Sequence, residues 1–274
     1  MGKEAEFIVQ TVDNPAPEKQ NTLYVGALAK GLRLLRAFDE SHTRLTLSEL
    51  AARTGLDKSA TQRFANTLHL EGMLDKDPRT RRYSPSHAWL QMAYAYCWSD
   101  TLVARAMPRL IELSQHLGET VNLAELSGDH IIYVSRLPCK RTQFAASIAG
   151  RRLPALSTAA GRVMLSTFSE AERQQALDTW PLEPYTPRTT LDRARIADLV
   201  AEAMEQGYVI SHNEMILNET SIAAPIRPQG QPAFAAVQCS VSSHSWSVDR
   251  VREEILPFLQ DTANSLSPAP DSLP

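Results

Sequence analysis

A chain of 274 residues has room for two domains, and 43% hydrophobic with 22% charged residues is the composition of a globular protein with ample material for a core. A formal net charge of −3 excludes a polycation, so any grip on nucleic acid has to come from a local patch. Residues 24–88 hold eleven Lys/Arg against seven Asp/Glu, a surplus of +4, which leaves −7 for the remainder (−3 minus +4). Cys97, Cys139 and Cys239 are widely spaced, no C-x-x-C occurs, and no two histidines stand three or four residues apart. Neither a metal site nor a disulfide framework is expected, and no cofactor. The start, MGKEAEFIVQ, carries acids and no apolar segment, unlike a signal peptide. The uncharged run Tyr83 to Ser99 is too polar and too short for a membrane span, and the expected location is a bacterial-type cytoplasm with no membrane partner.

Residues 1–22, with DNPAPEKQNT, and residues 267–274, SPAPDSLP, are polar and proline-containing and read as mobile tails. YVGALAKGLRLLRAF (24–38) aligns Val25, Leu28, Leu32, Leu35 and Phe38 on one stripe and predicts a helix. LTLSELAARTGLDKSATQRFANTLHLEG (45–72) predicts a second helix, a break at Gly55 and a third helix over 57–71 capped by Asp57. Helix, glycine turn, helix is the helix-turn-helix pattern. On the third helix, Ala60, Phe64 and Leu68 form an apolar stripe that anchors it. Lys58, Ser59, Thr61, Gln62, Arg63 and Asn66 stand between them. MLDKDPRTRRYSPS then predicts a hairpin over 73–84, turning at Asp77-Pro78 and carrying Lys76, Arg79, Arg81 and Arg82.

SHAWLQMAYAYCWSDTLVARAMPRLIELSQHLG is largely helical over 86–117, with Asp100 placed to cap a fresh helix. Its first part, with Trp89, Met92 and Tyr96, is apolar nearly all round, which suits a connecting helix buried against a partner chain. From 119 the period shortens. TVNLAEL, HIIYVSRL and TQFAASI (142–148) read as strands, STAAGRVMLSTF as a helix, and SEAERQQAL as a helix opened by a Ser169–Glu172 capping box. LDRARIADLVAEAMEQG is an amphipathic helix closed by Gly207. YVISHNE, TSIAAPIR and AFAAVQCSV alternate as strands before a terminal helix over 247–266. The fold class is α+β around an antiparallel sheet.

A charged helix face alone is usually just a solvated face. Here it follows a glycine-turned helix and precedes an arginine-rich hairpin, and the three together point to double-stranded DNA. A helix fits the major groove, where Arg, Gln, Asn, Ser and Thr read donor and acceptor patterns, while basic hairpin residues neutralise phosphates. Ser157, Ser166, His212 and Glu214 offer no triad: G-x-S-x-G is absent, and His212 and Glu214 are too close in one strand to converge. No P-loop or G-x-G-x-x-G occurs either, so no catalytic residue is assigned. LPALSTAAGR places a hydroxyl cap before Ala159, Ala160 and Gly161, where free N–H groups attract an anion or small side chains merely permit close packing. Ser211, Ser221, Gln238 and Ser240 lie on the later strands and could meet a small acid.

In their order, LAKGLRLLRAF, LSELAARTGLDKSATQRFANTLHLEGML, GETVNLAELSGDHIIYVSRL, RRLPALSTAAGRVML, GYVISHNEMILNETSIAAPIR and FAAVQCSV resemble the IclR-type transcriptional regulators over about 23–266. The resemblance implies a winged helix-turn-helix (23–85), a linker helix (86–99) and a GAF-like effector-binding domain (100–266). It implies a dimer or tetramer that binds operator DNA, and RNA polymerase if it activates, under control of a small organic acid. By position it places the effector at Ala159, Ala160, Ser211, His212, Ser221, Gln238 and Ser240. Asn218-Glu219 stands where many members carry Gly, and Asn tolerates a left-handed backbone. An acid often found in the pocket is Ser211 here, and Gln238 replaces a common Ser. The linker helix and STAAGRVML resemble the branch that controls aromatic-acid catabolism. The rival reading is a metabolite-binding or hydrolytic enzyme whose N-terminal helices only dimerise it.

Overall fold

The computed structural model describes residues 23–139 and 149–268. The strand expected at 142–148 and both expected tails, apart from Ser267 and Pro268, lie outside the described residues. Two compact units divide between Ser99 and Asp100.

The first unit holds α1 (Gly26–Leu35), α2 (Leu47–Thr54), α3 (Lys58–Leu70), the strands β1 (Leu74–Lys76) and β2 (Tyr83–Pro85), and α4 (Ala88–Ser99). Local chemistry sets its boundaries. Thr46 and Glu49 close a capping box on α2, Gly55 ends that helix in the left-handed region at φ 66°, and the Asp57 carboxylate accepts from the Ala60 N–H at the start of α3. Leu34, Leu50, Ala65, Leu74 and Tyr83 share one core. Leu45 exchanges backbone hydrogen bonds with Tyr83 at 2.9 and 2.7 Å, tying the hairpin to the approach to α2.

Helix α3 sits rotated from its expected stripe. Its buried positions are Thr61 and Ala65, with Phe64 and Leu68 half-buried beside them and Ala60 no more than half-buried. Thr61 can occupy the core because its hydroxyl donates to the Asp57 carbonyl at 2.8 Å, so no buried polar group is left unmet. At the other end, Trp89 anchors α4: its indole N–H donates to the Met73 carbonyl at 2.9 Å, and its ring meets Phe38 edge-on. Beyond that anchor, Leu90, Met92, Tyr94 and Trp98 are 61–74% exposed in the single chain.

The second unit opens with α5 (Thr101–Leu117), capped by Asp100 as expected. Its six-stranded sheet has the order β5-β4-β3-β8-β7-β6, antiparallel throughout. The strands are β3 (Thr120–Ser127), β4 (His130–Leu137), β5 (Arg152–Pro154), β6 (Val209–His212), β7 (Glu219–Ile226) and β8 (Ala235–Ser242). Between β5 and β6 come α6 (Ala159–Leu165), α7 (Glu170–Thr179) and α8 (Arg193–Gln206); α9 (Val248–Arg250) and α10 (Leu256–Leu266) close the unit, joined by a π-helical turn. Three-residue β5 escaped the sequence reading because so short a segment shows no period.

The sheet's two faces differ in chemistry. Val121, Leu123, Ile222, Val237 and Cys239 face α5 and α10 in a wholly apolar layer. Strand alternation turns Asn122, Ser221, Gln238 and Ser240 the other way, towards α6. The register places Ser211 opposite Ser221 and Ser221 opposite Ser240, so three hydroxyls line up across β6, β7 and β8. Helix α6 folds tightly against the turn that precedes it because Gly161 has no side chain: a Cβ there would lie 2.1 Å from the Ala155 carbonyl oxygen. That neighbour is backbone and cannot swing aside. Gly161→Ala is expected to cost about 3 kcal/mol or more. A lowered urea midpoint with an unchanged slope checks this; an unchanged midpoint would contradict the close approach.

Candidate functional site

On the first unit, Lys58, Ser59, Gln62, Arg63 and Asn66 form one exposed face of α3. Thr61 does not join them: it is fully buried, its hydroxyl committed to the helix, and it is corrected from a base-reading residue to a core residue. The hairpin tip is built on Asp77, whose carboxylate accepts from the Arg79 and Thr80 N–H groups at 2.8 and 3.2 Å. Arg81 completes the turn at φ 59°, an uncommon backbone for a side chain of its size. Arg79 and Arg81 stand exposed at that tip. Lys76 lies 5.1 Å from the Tyr83 ring centre, its charge resting on the aromatic face. Arg82 folds back, donating to Glu49 and to the Arg44 carbonyl, both at 2.9 Å. Unlike Arg79 and Arg81, it is therefore held against the start of α2. Among the described residues, Lys58, Arg63, Arg79 and Arg81 enter no ion pair.

On the second unit, a small cavity opens between the polar face of the sheet and α6. Ala159, Ser211, Ser221 and Gln238 line it, together with Tyr133, Thr158, Glu214, Met215 and Glu219. Of the seven residues placed by position, four line this cavity and three do not. Ala160 is fully buried behind the wall. Ser240 sits one bond back, 3.0 Å from the Ser221 hydroxyl. His212 follows Ser211 on β6 and so points away; it is exposed, with Nδ1 2.8 Å from the Thr220 hydroxyl on the opposite face of the sheet. The start of α6 offers less to an anion than expected, since the Gly161 N–H is taken by the Thr158 hydroxyl at 3.0 Å.

Two carboxylates reach the cavity, in opposite states. Glu214 is gripped by Arg162, Nη1 to Oε1 and Nη2 to Oε2, both at 2.8 Å, and it also accepts from Ser211 Oγ and the Thr190 N–H. Burial pushes its pKa up, but the bonds and charge of Arg162 outweigh that and hold it below the ordinary carboxylate value. Glu219 has no such fork. Burial raises its pKa, only partly offset by the Ser221 hydroxyl and the charge of Arg136. A chain of hydrogen bonds runs from Tyr133 through Gln238 Nε2 (3.0 Å), to Ser240 (3.3 Å), Ser221 (3.0 Å) and Glu219 Oε1 (3.1 Å). Burial, then the nearby Glu219 charge, push the Tyr133 hydroxyl up to about 12, so it is a neutral donor. The sequence reading missed Tyr133, Thr158, Met215 and Glu219. For Glu219 a signal was present, because it stands two residues before Ser221 and therefore shares its face.

Among the described residues no cluster of His, Cys, Asp and Glu could hold a metal ion, and all three cysteines are free thiols. No helix among them is long and apolar enough to cross a membrane.

Residues 94–268 match the family model of the bacterial transcriptional regulator IclR C-terminal domain, and residues 27–78 match the IclR helix-turn-helix domain. The chain belongs to the IclR family of transcriptional regulators. As a member it is a DNA-binding regulator with an effector domain, not an enzyme, which removes the rival reading. The regulator is 30% identical to the Pca regulon regulatory protein of Pseudomonas putida over 246 residues, 89% of this chain and 83% of the relative. It is 29% identical to the p-hydroxybenzoate hydroxylase transcriptional activator of Acinetobacter baylyi over 248 residues, 89% and 91% of the two chains. Among solved structures, an IclR homolog complexed with 4-hydroxybenzoate from Microbacterium hydrocarbonoxydans shares the fold, at TM-score 0.72, 23% identity and coverage of 88% and 97%.

The regulator's buried Arg162–Glu214 pair yields a two-part expectation. Arg162→Met leaves Glu214 without its cation and is expected to cost about 3–5 kcal/mol at neutral pH. In the wild type the folded pKa of Glu214 lies below its unfolded value, so the pair's contribution is complete above the unfolded value and is lost as pH falls through the folded one. In the variant, protonation instead relieves a stranded charge. The gap between the two proteins, measured by urea unfolding at pH 7 and at acid pH, is expected to narrow on acidification. A constant gap would show that the pair is not what is being lost.

Proposed function

We propose that this regulator acts as a dimer, controls a catabolic operon, and takes a small aromatic carboxylate as its effector. Helix α3 lies in the major groove, where Gln62, Arg63 and Asn66 meet base edges, and Arg79 and Arg81 at the hairpin tip contact the backbone or minor groove. A second copy covers the exposed side chains of α4. If the regulator activates, RNA polymerase is a further partner. The observation that carries the reading is the cavity walled by hydroxyl and amide groups, in a chain whose third helix keeps its polar face in solvent. Aromatic chemistry is supported by the relatives, two of which are named for the Pca regulon and p-hydroxybenzoate hydroxylase, and by the 4-hydroxybenzoate complex of a protein with the same fold. The effector shifts regulation only by binding one arrangement of the dimer better than another.

The two ends of the molecule test separately. Arg63→Ala is expected to weaken operator binding by about 1–3 kcal/mol, whereas Arg79→Ala weakens binding to any duplex and lowers the salt slope by about one. Mobility shifts matching wild type at equal salt would refute the assignment. At the other end, millimolar benzoate or 4-hydroxybenzoate is expected to raise the unfolding temperature in proportion to the logarithm of its concentration. Ser221→Leu fills the cavity and should abolish that rise while mobility shifts persist; a rise equal to wild type would place the ligand elsewhere.

A further inference from the structure

The cavity's hydrogen-bonding capacity is lopsided. Glu214 is saturated: its two oxygens meet Arg162 twice, Ser211 and Thr190. Gln238 Nε2 donates to Ser240, the Ser240 and Ser221 hydroxyls lie 3.0 Å apart, and Glu219 accepts from Ser221 at 3.1 Å and also bonds Ser240. An ionised carboxylate has about four acceptor sites and no donor. Glu219 therefore ends the chain with acceptor capacity to spare, and it lines the cavity. The turn that delivers it is fixed by two asparagines in the left-handed region, Asn213 at φ 61° and Asn218 at φ 62°, with the Asn213 carboxamide accepting from the Asn218 N–H at 2.5 Å. A backbone bond from the Asn213 N–H to the Glu219 carbonyl, 2.8 Å, locks the start of β7.

A ligand group that meets Glu219 has to bring a hydrogen. A carboxylate there would set two anions side by side in a desolvated site. An ammonium group is disfavoured as well, because the positive fields of Arg136 and Arg151 already act on Glu219. A neutral hydroxyl satisfies both constraints. We propose that Glu219 selects effectors bearing a ring hydroxyl, accepting that hydrogen at the end of the Gln238–Ser240–Ser221 chain, with the effector's own carboxylate turned away from this corner. This rests on the aromatic-acid reading above and adds to it a specificity-determining residue and the substituent it recognises.

The test is isothermal titration of the full chain with benzoate and with 4-hydroxybenzoate at one pH, reading the ratio of affinities. Wild type is expected to favour the hydroxylated acid about tenfold or more, the scale of one hydrogen bond to a charged group. Glu219→Met removes the acceptor at similar volume and should bring the ratio near one, by weakening 4-hydroxybenzoate while benzoate still binds. Glu219→Gln keeps a carbonyl acceptor and should fall between. A wild-type ratio near one, or a wild-type ratio retained by the Met variant, overturns the proposal and leaves the aromatic-acid reading standing. Binding of neither compound to wild type overturns both. If the Met variant binds neither, the Gln variant decides: a ratio equal to wild type overturns the role of Glu219, and a reduced ratio supports it.

Discussion

Arg162 and Glu214 sit inside the effector-binding unit with side chains 0% and 8% exposed, and charges so placed persist only when each satisfies the other. Their two parallel bonds do more than neutralise charge. Arg162 belongs to α6 and Glu214 to the loop between β6 and β7, so the pair fixes a helix to the loop that supplies one wall of the cavity. Arg162 Nε also holds the Leu156 carbonyl at 2.6 Å, and Gly161 lets α6 close against Ala155. A buried ion pair is often no more stabilising than well-packed apolar groups of the same size. What it contributes here is placement: the loop that carries Met215 and leads into Glu219 starts from a fixed point.

The same economy explains why one face of the sheet is apolar and the other is not. Hydroxyl and amide side chains beneath α6 would be a liability unless each found a partner, because an unmatched polar group in a dry interior is costly. Tyr133, Gln238, Ser240 and Ser221 solve this by bonding to one another in a connected network. Glu219 accepts from that network. These four side chains thus satisfy one another, although Asn122 Nδ2 on the same face has no partner, and Glu219 leaves acceptor capacity at the cavity surface. Such an arrangement is preorganised, since a ligand need not break the network to be recognised.

Much of the architecture was legible because its causes are local. The caps at Asp57, Asp100 and Ser169 and the left-handed stops at Gly55 and Gly207 are read from a few adjacent residues, and the helices follow. What escaped depends on partners remote in sequence. Arg82 looked like a phosphate ligand until Glu49, 33 residues earlier, claimed it. Thr61 looked like a groove-facing hydroxyl because a polar residue in a core is the less common outcome, and only its bond to the Asp57 carbonyl makes it tolerable. His212 was misplaced for a simpler reason: once β6 is a strand, neighbours of Ser211 must face away. Glu219 was set aside as a departure at a turn, whereas its parity with Ser221 already put it on the cavity face.

Charge distribution joins the two units without any need to specify how they are arranged. Because the whole molecule is at −3, no general attraction draws it to DNA; the +4 surplus in residues 24–88 has to act over a short range against −7 elsewhere. At physiological salt, fields fade over about 8 Å, so exposed cations such as Arg63 and Arg79 act only at short range. Folding also ties up part of that surplus. Arg82 and Arg53 pair with Glu49 and Asp39, while Lys58, Arg63, Arg79 and Arg81 stand exposed on α3 and at the hairpin tip, as Lys30, Arg33, Arg36 and Arg44 do elsewhere on the unit. Weak net attraction makes non-specific binding easy to leave, and a local surplus makes correct docking worth keeping.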